Sequence, residues 1–320
     1  MSVVTKRPFF KVVDGVQRCQ NLSIDIFEEN KKFKSRDGDI VQCSYPMCGT
    51  YWMNYITILI LRRGEPLSCA NELNRCVRSI DHVKNVHLWE PDLLPKRMLI
   101  TRVALRPEAI NPAAKYICIP RNPWDVGVSF YHRATDLSPY RFQDGTFDEF
   151  FESFMEDSFG LRGYIDVVRA GYALRKEPNV FFVTYEELKT DTRGVVLRLA
   201  GFLGPTYRED LENDESLLQK IVNLSSAEVM RDLMVVGMRQ KEGGDIVNSR
   251  SGYKGDNKKF SVGRRAAVGQ WKEYLTPEKL ARIEAKIEEA GEEASFIQLW
   301  NGIRAEAFAA SKHSFDYACC

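Results

Sequence analysis

Hydrophobic and polar positions along this chain change period several times, and each change marks an element. Residues 40–45 form a β-branched and aromatic run, Pro46 to Gly49 interrupts it, and Trp52, Ile56, Leu59 and Ile60 then recur at helical spacing. The pattern predicts strand, tight turn and helix. Gly49 lets the backbone pass closely, and Thr50 is placed to cap a helix whose first N–H groups and positive dipole end face the turn. Such a turn suits an anion, and the same pattern also fits a plain strand-to-helix junction.

Further runs predict a short strand at 98–103, a buried strand at 115–119 and another at 179–185. After the second of these, Asn122 is a good N-cap, Pro123 suits the first helical position and Asp125 stands three residues beyond the cap. Helices are expected at 165–174, at 192–203 with Gly204 and Pro205 closing it, at 215–224, and at 276–290 with Thr276 as cap. Residues 65–96 read as polar and turn-rich, broken by Pro66, Pro91 and Pro95, with His82 and His87 facing solvent. The phenylalanine-rich stretch 136–159 reads as a flap followed by an amphipathic helix. The Gly-rich, basic stretch 241–269 reads as a surface loop.

Strands alternating with helices predict one α/β domain with a central parallel sheet flanked by helices on both faces. Residues 1–36 are expected to be an N-terminal edge segment packed on the single globular domain, 37–320. A chain of 320 residues, 44% hydrophobic, can bury a large core, and a formal net charge of +1 gives no general attraction to nucleic acid or to a membrane surface. The first residues lack a signal-peptide run and no stretch is long enough to span a bilayer, so a cytoplasmic protein is expected. Its eight cysteines include no Cys-x-x-Cys pair and its four histidines lack zinc-ligand spacing, so reduced thiols and no metal are expected. Cys48, just ahead of a helix start, is a candidate reactive thiol, with a buried inert sulfur as the alternative.

The turn reads Tyr45-Pro46-x-x-Gly49-Thr50-x-Trp52, and it resembles the 5′-phosphosulfate loop of the cytosolic sulfotransferases, usually Thr-Tyr-Pro-Lys-Ser-Gly-Thr-Thr-Trp. Those enzymes move a sulfuryl group from 3′-phosphoadenosine 5′-phosphosulfate (PAPS) to a hydroxyl or amine of a small molecule such as a phenol, catecholamine or steroid, leaving adenosine 3′,5′-bisphosphate (PAP). The segment from Arg121-Asn122-Pro123 to Ser129 resembles the family's 3′-phosphate segment, and Tyr185-Glu-Glu-Leu-Lys-Thr-Asp, Leu224-Ser-Ser and Arg264-Arg-Ala-Ala-Val-Gly-Gln-Trp-Lys272 resemble three further family segments. The resemblance covers about residues 37–300 and implies a P-loop kinase-like topology. It assigns the nucleotide to Cys48, Gly49, Thr50, Tyr51, Trp52, Arg121, Ser129, Tyr185, Ser225, Arg264, Arg265 and Ala266. A P-loop kinase or GTPase is a remote third alternative, because Gly-x-x-x-x-Gly-Lys-Ser/Thr is absent and Met47 cannot serve as its lysine.

The departures fall on the chemistry. Met47 stands where the family has its loop lysine, and alignment on 99–105 places Arg102 where the family has its histidine base. A guanidinium cannot accept a proton from an acceptor, and a thioether cannot neutralise a leaving phosphate. His132, one helical turn beyond Ser129, is a candidate substitute base, with an ordinary packed histidine as the bland reading. Tyr51, Ala227 and Ala266 replace a threonine, an adenine-stacking phenylalanine and a glycine. Two functions are therefore expected as alternatives: a sulfotransferase acting on a small-molecule acceptor, or a nucleotide-binding homologue with weak or lost catalysis. The family's dimer motif is broken at Pro277 and Ala281, which predicts a monomer or weak homodimer.

Overall fold

The continuous apolar runs become the strands of one sheet. The computed structural model describes residues 6–13, 16–18, 23–137, 140–156, 158–233, 235–236, 260–261 and 266–312. A hairpin of β1 (Lys11–Val13) and β2 (Val16–Arg18) comes first, followed by α1 (Ile24–Asn30). Next, β3 (Ile40–Cys43), β4 (Val77–Ser79), β5 (Met98–Thr101), β6 (Lys115–Cys118) and β7 (Val180–Phe182) pair in parallel in the order β4-β5-β3-β6-β7. The chain leaves β3 for one edge of the sheet and leaves β6 for the other. A crevice therefore opens beyond the carboxyl ends of these two neighbours.

The helices between the strands are α2 (Thr50–Leu61), α3 (Ala70–Cys76), α4 (Pro123–Asp136), α5 (Phe147–Glu156) and α6 (Leu161–Ala173). After β7 come α7 (Tyr185–Thr190), α8 (Thr192–Leu203), α9 (Pro205–Asn213), α10 (Glu215–Leu224) and α11 (Ala227–Leu233). An antiparallel pair, β8 (Val235–Val236) with β9 (Phe260–Ser261), and α12 (Pro277–Ala290) and α13 (Asn301–Lys312) complete the described β-strands and α-helices.

Side chains of a strand alternate between faces, and the two cores divide accordingly. Val41, Cys43, Tyr116 and Cys118 pack with Trp124 and Val128 of α4, Phe151 of α5, Ile165 of α6 and Ile283 of α12. Ile40 and Ile117 pack with Ile56 and Leu59 of α2, Val195 and Leu199 of α8 and Ile221 of α10. All four β3 residues are buried, as a strand covered on both faces requires. The expected α/β domain with helices on both sides is the fold observed.

Several expectations shift at the level of single elements. The stretch 65–96 holds α3 and the edge strand β4 rather than turns alone. β4 is three residues with Arg78 at its centre, and a strand paired on one side needs no apolar run to advertise it. Pro205 does not simply follow a helix end but opens α9 at its first position. Asn122 and Thr276 cap as expected, accepting from the N–H groups of Asp125 at 2.9 Å and Lys279 at 3.3 Å. The N-terminal segment docks through Phe10, whose ring lies 5.2–6.3 Å from those of Phe159, Tyr140 and Phe130.

Candidate active site

The loop between β3 and α2 is shaped by two residues in the left-handed region, Met47 at φ 71° and Gly49 at φ 90°. A Cβ on Gly49 would stand 2.8 Å from the ring of Tyr185, so this position needs glycine for its conformation and for its closeness to α7. Gly49, not Thr50, is the N-cap of α2, which corrects the expected capping role. The left-handed glycine starts the helix one residue early, and the Thr50 hydroxyl turns inward to Ser44 Oγ at 2.7 Å. Gln42, buried within β3, donates to the Thr50 carbonyl at 3.0 Å and ties the strand to the helix start. The first N–H groups of α2 thus open on the crevice with no side-chain cap among the described residues.

Arg102 reaches the same loop from the neighbouring strand. The parallel register pairs Cys43 with Thr101, and the Ser44 N–H donates to the Thr101 carbonyl at 3.3 Å, so the residue that follows β5 stands beside the loop. Arg102 Nη1 donates to the Ser44 carbonyl and to Ser44 Oγ, both at 3.2 Å, and to Thr50 Oγ1. Its backbone is held by Asp81, whose carboxylate accepts from the Arg102 N–H at 2.6 Å and from the Thr101 hydroxyl at 2.8 Å. Asp81 is a supporting residue that the sequence reading missed, because it follows the unrecognised edge strand. Met47 turns its side chain against the apolar core, and its carbonyl accepts from Arg121 Nη1 at 3.4 Å.

Across the crevice, Arg121 leaves β6 only 6% exposed. Its Nη1 donates to Ser129 Oγ at 2.9 Å, its Nη2 donates to the Ala267 carbonyl at 2.8 Å, and the guanidinium lies 4.5 Å over the Tyr185 ring. Its Nε is buried with no hydrogen-bond partner among the described residues, a donor that an anionic ligand could satisfy. Tyr185 also meets Trp52 edge to face, with ring centroids 5.5 Å apart. The structure therefore brings Gly49, Thr50, Trp52, Arg121, Ser129 and Tyr185 together.

A buried carboxylate organises this side. Asp125 is 0% exposed, stands 3.6 Å from Arg121 Nη2, and accepts from the N–H groups of Gly269 at 2.8 Å and Trp271 at 3.1 Å. It fastens the segment beginning at Ala266 to the start of α4. Ala266 has φ 49°, the left-handed conformation suited to the glycine it replaces. Glu186 accepts from Asn122 Nδ2 at 2.6 Å and from Trp300 Nε1 at 2.7 Å, and Tyr164 donates to the Arg121 carbonyl at 2.6 Å. In the sequence, Asp125 signals only a helix cap, and its long-range partners carry no local mark.

The other expected residues fall less centrally. Ser225 closes α10, buried, with its hydroxyl donating to the Val222 carbonyl at 3.0 Å. Tyr51 packs at the margin of the α2 core. Arg264 and Arg265 lie outside the described residues. His132 sits in an aromatic layer, its ring 5.2 Å from both Tyr131 and Tyr274. Of the two readings for Cys48, the structure favours the buried one: it is 0% exposed, and burial pushes its thiol up to about 12 despite the opposing charge of Arg121, which makes it an inert core sulfur. Among the described residues no helix is long and apolar enough to cross a membrane, and no group of three or more His, Cys, Asp or Glu could hold a metal ion.

Residues 37–294 match the sulfotransferase domain family. Mouse sulfotransferase 1B1 is 27% identical over 290 residues, covering 87% of this chain and 91% of that one. Cytosolic sulfotransferase 16 of Arabidopsis thaliana is 28% identical over 298 residues, covering 85% and 82%. Among solved structures, mouse sulfotransferase SULT7A1 complexed with PAP superposes with a TM-score of 0.66 at 20% identity, covering 93% of this chain and 99% of that one. Retinol dehydratase, in complex with androsterone and the inactive cofactor PAP, gives 0.61 at 20% identity, covering 88% and 87%. Since the matched residues take in every strand of the central sheet and both loops of its crevice, the chain belongs to the sulfotransferase family and has its P-loop kinase-like fold.

Proposed function

We propose that this protein binds PAPS in the crevice between β3 and β6 and transfers its sulfuryl group, in the cytoplasm, to an oxygen or nitrogen of a small molecule. The observation that carries the reading is Arg121, a buried guanidinium that touches Ser129 on one side and the carbonyl of Met47 on the other, with Nε unpaired among the described residues. A group so placed bridges the two loops and suits the nucleotide's phosphates. The open N-terminus of α2 suits the end that carries the phosphosulfate.

In the transfer, the acceptor attacks sulfur in line, the new S–O or S–N bond forms, the bond from sulfur to the 5′-phosphate oxygen breaks, and the proton of a neutral acceptor leaves to water. Negative charge grows on the departing phosphate. Met47 offers no cation there, whereas Arg102, anchored on Ser44 and Thr50, supplies one from β5. Binding without catalysis is the second reading, favoured by the apolar packing of Met47.

Adenosine 3′,5′-bisphosphate should raise the melting temperature, and labelled PAPS should pass its sulfuryl group to members of a panel of phenols, catecholamines and steroids. A nucleotide shift with no transfer to any acceptor would select the second reading. The absence of any shift would remove both. We also propose a monomer, since Lys272 pairs with Glu306 at 2.8 Å and Thr276 is occupied as the cap of α12; a dimer in light scattering at micromolar concentration would contradict it.

A further inference from the structure

The groups that touch the loop from residue 44 to residue 50 share one property. Arg102 and Arg121 contact it from its two sides, and a guanidinium gives up no proton at working pH. Burial pushes the Cys48 thiol up to about 12, raises the Tyr45 phenol well above its ordinary value, and raises Tyr185 beside Gly49. Asp81, behind Arg102, already accepts on both oxygens, from the Thr101 hydroxyl and the Arg102 N–H. Asp125, 3.6 Å from Arg121 Nη2, offsets that charge, and Glu186 also bears on Cys48, whereas Arg102 donates to the neutral oxygens of Ser44 and Thr50. The loop is thus rich in donors, and among the described groups that touch it none is suited to take a proton from an incoming hydroxyl.

We infer that the acceptor arrives already ionised: the substrates of this site are acidic phenols and similar hydroxyl compounds that exist as anions near neutral pH, and Arg102 is the catalytic residue that draws them in. This inference rests on the proposed function. The balance of the step is complete without a base. The oxyanion's electron pair forms the new O–S bond, the bond from sulfur to the phosphate oxygen breaks, and that oxygen keeps the bonding pair beside Arg102. No proton moves. Amines are disfavoured on the same ground, because at neutral pH they are mostly ammonium ions with no free electron pair until a proton is removed. A phenol with an ordinary pKa of about 10 is ionised to only about one part in 10³ at pH 7, which sets the advantage of an acidic one.

The test is the pH dependence of transfer at saturating PAPS across phenols whose pKa values run from about 6 to about 10. Each rate should rise tenfold per pH unit up to the acceptor's own pKa and then level off, so that the break moves with the acceptor. A break at one common pH for every phenol would overturn the inference, because it would report a base on the protein such as His132. Arg102→His should add an acceptor-independent break near pH ~6.5 and open the site to neutral phenols; an unchanged profile would overturn the role of Arg102. A melting shift with adenosine 3′,5′-bisphosphate separates the two levels. A shift with no transfer to acidic phenols defeats this inference and leaves the nucleotide site standing, whereas no shift defeats both.

Discussion

Arg121 and Arg102 follow the two strands that flank β3, and they are held in different ways. Arg121 lies inside a closed set of partners: Ser129, the Ala267 carbonyl, the Asp125 carboxylate and the Tyr185 ring, with Tyr164 fixing its own carbonyl. Arg102 is half-buried and grips the β3 loop through a single nitrogen, Nη1. The first arrangement cannot change one member without stranding another. The second needs only the strand register that sets residue 102 beside residue 44, so a cation missing from the loop at Met47 is offset from the next strand. On the proposed function, holding the nucleotide and helping its chemistry would fall to separable sides of one crevice.

Removing Arg121 should have the largest effect. Arg121→Ala leaves Asp125 buried beside a lost charge, a change that commonly costs about 2–5 kcal/mol, and titration with adenosine 3′,5′-bisphosphate should show a loss of about 10² or more in affinity. Arg121→Lys should recover little, because one ammonium cannot reach Ser129, Ala267 and the Tyr185 face together. Undiminished binding in either variant would dissolve the contrast between the two sides.

Arg102→Ala should cut turnover of an acidic phenol by about 10²–10³ at saturating PAPS while nucleotide affinity falls by less than about tenfold. Turnover measured beside nucleotide titration checks this directly. Equal losses in both quantities would place Arg102 in binding rather than in chemistry.

What the sequence disclosed follows the same division. Strand runs, the cap at Asn122 and the Gly49 turn are written in neighbouring residues, so β3, β6 and the start of α4 could be read directly, whereas the start of α2 was placed one residue late. Arg121 and Ser129 were legible through the resemblance of the continuous segment 121–129 to the family's 3′-phosphate segment, not through spacing alone. Asp125 binding the N–H groups of Gly269 and Trp271, and Asp81 holding Arg102, join residues far apart in the chain, and nothing local announces them. The burial of Cys48 was hidden for a related reason. Its place before a helix suggests an activated thiol, whereas the packing around it, set by Tyr45 and Tyr164, reverses that expectation.

Two glycines test how tightly the loops are built. Gly49 and Gly269 have nearly the same φ, 90° and 88°, but an added Cβ meets the Tyr185 ring at 2.8 Å in the first case and nothing within 4 Å in the second. Gly269→Ala should cost about 1 kcal/mol, the price of a left-handed alanine. Gly49→Ala should cost about 1–3 kcal/mol more through overpacking against Tyr185, read as the difference between two urea midpoints at equal slope. Equal midpoints would mean that Tyr185 moves aside freely and does not brace the loop.

Cys48 lies between the two arginines, and both pull its thiol downward while burial raises it to about 12. Burial prevails because the sulfur is fully enclosed and the thiolate would lose nearly all its hydration, whereas the guanidinium charges are already shared with Ser129, Ala267, Ser44 and Thr50. The thiolate fraction at pH 8 is then about 10⁻⁴, against about 10⁻¹ for a thiol at its ordinary value. Alkylation of the native protein at that pH should therefore modify the exposed Cys69 and leave Cys48 untouched, with or without nucleotide, until denaturant is added. Mass spectrometry of the labelled peptides gives the answer. Labelling of Cys48 at a rate near that of Cys69 would mean that the loop opens to solvent between the two arginines, and the rigid β6 side would then extend no further than Arg121 itself.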